Sequence, residues 1–400
     1  MPAPRDRSLP PAAIGLAIAA ASLLTLGLLG IDRGDELLGH DRLPRQLAYA
    51  ALGLLVAIGG SRIDYRIWRS LAGPAFAVSC VALVAVFLFD PRGGSRRWIP
   101  LGPIDVQPSE VVKLAFVVLA ASQLSLSRQT LSPVGVVKTL LLAVIPMVLI
   151  VREPDLGTAI LFGPTAAAML LAAGSRRRDL LAIAVVAACL LPALWLGMSA
   201  EQRSRVTTLA SQADGGPAPQ GDGYHLHQSK QVLALGGATG IAVDDLLARE
   251  PLSYHLPAAR TDFILCLIGQ RFGLAGTLAT LACVAALVGS LVGIGGHTRD
   301  PFGRLVCVGL AAMLGTQATV NAAMTVGLMP ITGVTLPLCS YGGTSLVATA
   351  AAIGLALSIA RHAPYEVAET LYWWEAESSP SQTPARRPYV RTAASQNAVV

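Results

Sequence analysis

Long apolar runs alternate along this chain with short polar breaks that carry arginine. Runs near residues 12–31, 47–60, 71–89, 111–124, 134–151, 156–173, 180–198, 272–294, 305–326 and 336–359 approach the roughly 20 residues that carry a helix across a bilayer. The second and fourth are short and need tilt or help from flanking residues. The expected fold is an all-α polytopic membrane protein of about ten transmembrane helices with one long loop at 199–261. The apolar stretch from Phe263 to Ile294 is too long for one perpendicular span, and Gln270-Arg271 interrupts it. Its first part, 263–269, is expected to be a separate, partly interfacial segment, with the true span after it. Residues 1–375 form the expected membrane domain, and 376–400, rich in Ser, Pro and Ala, an expected disordered cytoplasmic tail.

Composition excludes the soluble alternative. Hydrophobic residues make up 53% of the 400 positions and charged ones 14%, more apolar surface than one aqueous core hides. The first run is too long for a cleaved signal peptide and is followed by more of the same. The net charge of +6 does not point to nucleic acid, because the arginines are dispersed in loops. An even number of spans gathers Arg62, Arg66, Arg69, Arg128, Arg176, Arg177, Arg178, Arg299, Arg304 and Arg361 on the side of both termini, a positive-inside pattern. Opposite them lie the loops at 90–107, 198–261 and 327–335. Arg92, Arg96 and Arg97 fall on this outer side, where orientation does not explain them and a ligand would. The six cysteines lie in apolar stretches and form no CxxC pair, which argues against a disulfide or zinc site.

Asp262 is the most informative residue. It stands where the long polar loop enters an apolar run, and a carboxylate at the edge of a span is costly enough to have a task. In the loop after the third span, Arg96, Arg97 and Trp98 could grip an anionic headgroup, while a lone Trp there is equally an interfacial anchor. Gln107-Pro-Ser-Glu opens the fourth span, with Ser109 as the expected cap. Glu110 and Lys113 share a helix face, as a structural ion pair or as part of a site. Glu153-Pro-Asp155 opens the sixth span, where Asp155 either caps the helix or acts directly. Two acids so close could also hold a divalent cation, on weak evidence. In the long loop, Gln228, Ser229 and Lys230 could face a polar ligand, whereas His225 and His227 lack partners at metal spacing. Residues 211–222 are expected to be mobile and the part after them ordered. Ser340, Tyr341, Gly342 and Gly343 start the last span, where small and hydroxylated residues allow close packing and an open polar cavity.

Taken together, RWIPLG, QPSEVVKLA, PDLGTA, GYHLHQSK with its Gly pair, TDFI, PITGVTLP and SYGGTS, in this order from about residue 90 to 360, resemble the SEDS family (shape, elongation, division and sporulation; the RodA/FtsW/SpoVE group). The resemblance implies polymerisation of lipid II, an undecaprenyl-linked disaccharide-pentapeptide, into glycan strands. It also implies a class B penicillin-binding protein as partner, and a bacterial cytoplasmic membrane with both termini inside and the active site outside. Asp262 falls on the acid regarded as catalytic, and Glu110 and Lys113 on a paired acid and lysine. Gln228–Lys230 and Pro330–Gly333 look more like the elongation, RodA-like branch. The chain departs from the family where Ala258-Ala259-Arg260 replaces a Glu and a His, and where Gln270-Arg271 replaces a Glu pair. These changes shift local charge towards positive, and Arg260 is expected to favour an ionised Asp262. No metal ligand set is expected; the cofactor is left open, with Mg2+ or Mn2+ as the candidates at the pyrophosphate. The competing readings are a lipid-linked precursor flippase or transporter, and a non-catalytic scaffold of a wall-synthesis complex.

Overall fold

A computed structural model of the chain describes residues 9–39, 41–91, 96–102, 104–126, 132–176, 200–210, 222–243 and 256–362, with isolated positions between 178 and 198. The tail at 376–400, the segment 211–221 and most of the expected span at 180–198 lie outside the described residues.

Seven described helices are long and apolar enough to cross a membrane. They are α1 (Pro11–Leu38), α2 (Leu43–Arg62), α3 (Arg66–Ala85), α5 (Pro133–Arg152), α10 (Ile264–His297), α11 (Pro301–Thr325) and α12 (Gly343–His362). Between α3 and α5 stand a two-stranded antiparallel hairpin, β1 (Ile99–Leu101) and β2 (Ile104–Val106), and the 17-residue α4 (Pro108–Leu124). After α5 come α6 (Leu156–Ile160), α7 (Phe162–Ala172), α8 (Ala200–Ala210) and α9 (Asp222–Leu235). With α4 and the α6–α7 pair added to the seven, the described helices account for nine of the expected spans.

Local sequence sets the helix starts. Proline occupies the first turn of α1, α2, α4, α5 and α11, where its missing N–H costs nothing. Ser132 caps α5 by accepting from Gly135 N at 3.2 Å, and Asp300 caps α11 by accepting from Phe302 N and Gly303 N. The cap of α4 is Gln107, not Ser109, because Pro108 already holds the first helical position. Helix α12 begins at Gly343, so 336–342 is a run of turns rather than the start of a span.

α1 packs along α10 and α2 along α12, while α11 runs against α10, α7 and α4. α11 and α12 are the most enclosed of the long helices. α2, α3 and α5 turn residues such as Leu55, Val78, Val81 and Leu141 outward, as lipid-facing helices do. Lipid tails are as apolar as leucine, so the helices associate through close packing rather than through water exclusion. A Cβ added at Gly27 would lie 2.4 Å from Cys339 Cα, and one at Gly354 would lie 2.7 Å from Ala57 O.

The break inside α10 decides where the candidate site lies. Gly273 has φ 68° and ψ −159°, and separates a short half-helix, 264–272, from the span that follows. The turn at 236–240 docks against the break. Leu274 N donates to Gly237 O at 2.9 Å and Ile241 N to Gln270 O at 3.0 Å, so the freed backbone groups find partners. Two segments were expected here and two are present. In the first, 263–270 are all buried, enclosed by α1, α9 and α11. Gly273→Ala is expected to destabilise the protein by about 2 kcal/mol or more, since a side chain is strained at this φ and its Cβ would meet Ala238 O at 2.4 Å. Thermal unfolding of the detergent-solubilised protein measures this; an unchanged midpoint would show that the break does not need glycine.

Candidate active site

Asp262 lies on the turn segment 256–263, at the entry to the half-helix. The segment folds on itself: Thr261 N, Asp262 N and Phe263 N all approach Ala258 O, at 3.1, 2.9 and 3.3 Å, and Ala258 takes a positive φ of 55°. Three residues from two other elements hold its carbonyls. Asn321, near the C-terminal end of α11, donates through Nδ2 to Asp262 O and to Val334 O, both at 2.7 Å. Tyr341 N donates to Arg260 O at 2.8 Å, and Ser340 Oγ to Thr261 O. Ser340 O and Gly342 N are in turn bonded by the Gln46 amide at 3.2 Å each. Leu338, in the same turn, also has positive φ, 64°. Backbone held in sparsely populated regions costs energy and persists where neighbours over-determine it, as they do here.

The carboxylate faces a second group. A methyl placed on Gly333 would lie 3.6 Å from Asp262 Oδ2 and 4.0 Å from Arg97 Nη1, so the anion and the cation flank the same glycine. Arg97 is fixed from the other side. Its Nε donates to Glu153 O at 3.2 Å, its Nη2 to Pro154 O, and its Nη1 stands 4.0 Å from Asp155 Oδ2. Asp155 caps α6 through Thr158 N at 3.1 Å and also accepts from Thr158 Oγ1 at 2.9 Å, so the capping role is real. Its second oxygen remains beside Arg97.

The pair expected in α4 forms within the bundle. Lys113 Nζ reaches Glu110 Oε1 at 2.9 Å and Gln317 Oε1 of α11 at 3.1 Å. Gln317 Nε2 passes the link to Thr335 O at 3.0 Å, and Thr335 Oγ1 meets Ser345 Oγ at 3.1 Å. Through Gln317 the pair therefore supports the 330–335 loop. The remaining candidates are spread out. Arg96 is exposed and donates to Phe87 O at 3.1 Å, and Trp98 is half-buried beside β1. Gln228 is buried and Lys230 half-buried on α9. Ser229 is fully buried, with its hydroxyl given to Leu226 O and Thr325 O at 2.8 and 3.1 Å. Gly342 and Gly343 lie beside Gln46 and Tyr49 of α2.

Asn321 is visible in the sequence as a polar residue inside the ninth span, whereas Gln46 and Gln317 were not anticipated. All three are polar side chains inside apolar helices, a signal that marks function or polar bridging in membrane proteins. Glu153 was read only as a possible cation ligand. It has no exposed surface, and neither carboxyl oxygen has a hydrogen-bond partner. Burial pushes its carboxyl up to about 8, neighbouring Asp155 adds to the rise, and Arg97 opposes it.

The comparisons follow the same pattern. The family model for the FtsW/RodA/SpoVE cell cycle proteins matches residues 16–365. The chain belongs to that family. Among its relatives, the probable peptidoglycan glycosyltransferase FtsW of Geobacter sulfurreducens is 34% identical, over 86% of this chain and 93% of its own. The peptidoglycan glycosyltransferase MrdB of Escherichia coli K12 is 32% identical, over 80% and 85%. Two solved structures share the fold. One, from work on the structural coordination of polymerization and crosslinking by a peptidoglycan synthase complex, has TM-score 0.74 at 29% identity and covers 87% of this chain and 97% of that one. The other, RodA of Thermus thermophilus, has TM-score 0.66 at 26% identity and covers 91% and 100%. Family members named FtsW and MrdB thus match at nearly equal identity.

Glu153 supplies a pH prediction. The folded protein holds this proton more tightly than the unfolded chain, so its contribution to stability is complete below the ordinary carboxyl pKa of 4.5 and is lost as pH rises through about 8. Glu153→Gln, which mimics the neutral form, is expected to gain on the order of 3 kcal/mol over the native protein between pH 7 and 9. Thermal unfolding against pH checks it: parallel curves for the two proteins would show that Glu153 is already ionised.

Proposed function

We infer that this chain is a peptidoglycan glycosyltransferase that polymerises lipid II, with Asp262 as the general base. One observation carries the assignment of Asp262: its carboxylate and the Arg97 guanidinium flank Gly333 on a surface built by four elements that sequence separates widely. In the reaction, the 4-hydroxyl of an acceptor GlcNAc attacks the anomeric carbon of a second lipid-linked sugar. A C–O bond forms there as the bond to pyrophosphate breaks, and undecaprenyl pyrophosphate departs with the electron pair. Asp262 takes the hydroxyl proton. The N-terminus of the half-helix 264–272 lies immediately after Asp262. Arg97, already oriented by two backbone carbonyls, offsets charge on the leaving pyrophosphate without having to reorganise.

Among the described residues, no group of three or more His, Cys, Asp or Glu side chains is placed to hold a metal. A Mg2+ or Mn2+ at this site would be held chiefly by the substrate phosphates. The orientation proposed puts the Asp262 end of the bundle outside a bacterial cytoplasmic membrane. Its support is the opposite end, where Arg62, Arg66, Arg69, Arg176, Arg299, Arg304 and Arg361 gather by the positive-inside pattern. The apolar spans give the lipid tails grooves between helices. The partner proposed is a class B penicillin-binding protein that crosslinks the product; its support is the similarity to a chain from a peptidoglycan synthase complex.

Purified full-length protein, given labelled lipid II, is expected to produce glycan polymer. Asp262→Asn is expected to lower the rate by about 100-fold or more, the scale of a lost general base. Polymer formed by Asp262→Asn at the native rate refutes the base assignment, and lipid II crossing proteoliposomes without polymer favours a flippase.

A further inference from the structure

Two arginines that flank the half-helix after Asp262 both turn towards α1. Arg260 Nε pairs with Asp35 Oδ1 at 2.9 Å, and its Nη2 donates to Gly34 O at 2.8 Å. Arg271 Nη1 pairs with Asp32 Oδ2 at 2.7 Å and donates to Leu29 O at 2.8 Å. One arginine stands just before the half-helix 264–272 and the other at its far end, so both ends of the segment that follows Asp262 are tied to one helix. Asp35 is itself fixed, because its Oδ2 accepts from Arg42 N and Leu43 N at 2.7 and 2.8 Å where α2 begins. The Arg260–Asp35 pair is the more enclosed, with its side chains 12% and 14% exposed, against 26% and 36% for Arg271–Asp32. An enclosed ion pair is strongly felt when one partner is removed, because the other charge is stranded. The α1 carbonyls add two charge-assisted bonds near the negative end of that helix.

We propose that Asp35, and with it Asp32, are positioning residues for the catalytic segment: through Arg260 and Arg271 they fix the register of Asp262 against Arg97 and Gly333. The added positive charge at 260 and 271 is neutralised within the chain by the end of α1, and works as a brace rather than as a substrate contact. This rests on the reading of Asp262 as the base, because displacing a base by a fraction of an ångström lowers turnover without touching the acceptor's affinity.

The test uses the full-length protein in two assays. With lipid II as substrate, Asp35→Asn, which keeps an acceptor for Arg42 N and Leu43 N, is expected to lower kcat about tenfold while KM stays within about threefold. Arg260→Gln should do the same, Asp35→Asn/Arg260→Gln should be no worse than either single variant, and Arg260→Lys should recover most of the loss. Hydrogen exchange, which needs no turnover, should show residues 256–263 exchanging about tenfold faster in Asp35→Asn, near native in Arg260→Lys, with α11 unchanged. Unchanged exchange at 256–263 overturns the brace even in an inactive protein. Uniformly faster exchange through α11 overturns it too, since Asp35 would then be a general stabiliser. If the native protein makes no polymer but exchange follows the pattern above, the brace stands and the functional reading fails.

Discussion

One amide holds the candidate site together. Asn321, deep in α11, gives Nδ2 to the carbonyls of Asp262 and Val334, each at 2.7 Å. Irregular backbone at membrane depth survives only where protein satisfies its polar groups. Three irregular segments enclosed by protein meet at this end of the bundle: 153–155, 256–263 and 326–342. Side chains take backbone carbonyls in each. Arg97 takes Glu153 O and Pro154 O, Ser340 takes Thr261 O, Gln317 takes Thr335 O, and Gln46 takes Ser340 O. From α11, Asn321 joins two of the segments at once, the one that carries the carboxylate and the one that carries Gly333.

The same constraint explains why chemistry concentrates there. A carboxylate and a guanidinium can sit on either side of Gly333 because the loops beneath them have little freedom left to collapse the gap. The Glu110–Lys113 pair is one layer removed. It keeps Gln317 oriented, and Gln317 keeps Thr335 in place. Burial pushes the carboxyl of Glu153, the most deeply buried acid of the site, up to about 8, and Asp155 is the acid whose side chain lies beside Arg97.

Much of this was legible in the chain and some was not, for a definite physical reason. Span positions follow from hydropathy alone. The break near Gln270-Arg271 showed as polar residues inside an overlong apolar run, and α10 does bend there, at Gly273. Asp155 as a cap was a local pattern and is a local fact. What escaped were pairings between distant parts of the chain. Asp35 and Arg260 are 225 residues apart in sequence, and no periodicity links them. Arg260 was expected to act on Asp262, and it also forms an ion pair with Asp35 at the end of α1. Arg96 and Arg97 are neighbours that part company, one to Phe87 O and one to the site, because the chain turns into β1 directly after them.

The central claim is that Asp262 acts from a fixed place, and that Asn321 fixes it. The direct measurement is the rate of lipid II polymerisation by Asn321→Leu, which keeps the volume and removes both bonds, compared with the native protein at equal folded amount. The account predicts a fall of about tenfold or more, since two buried carbonyls lose their donor and the carboxylate its support. Polymerisation at the native rate would contradict it.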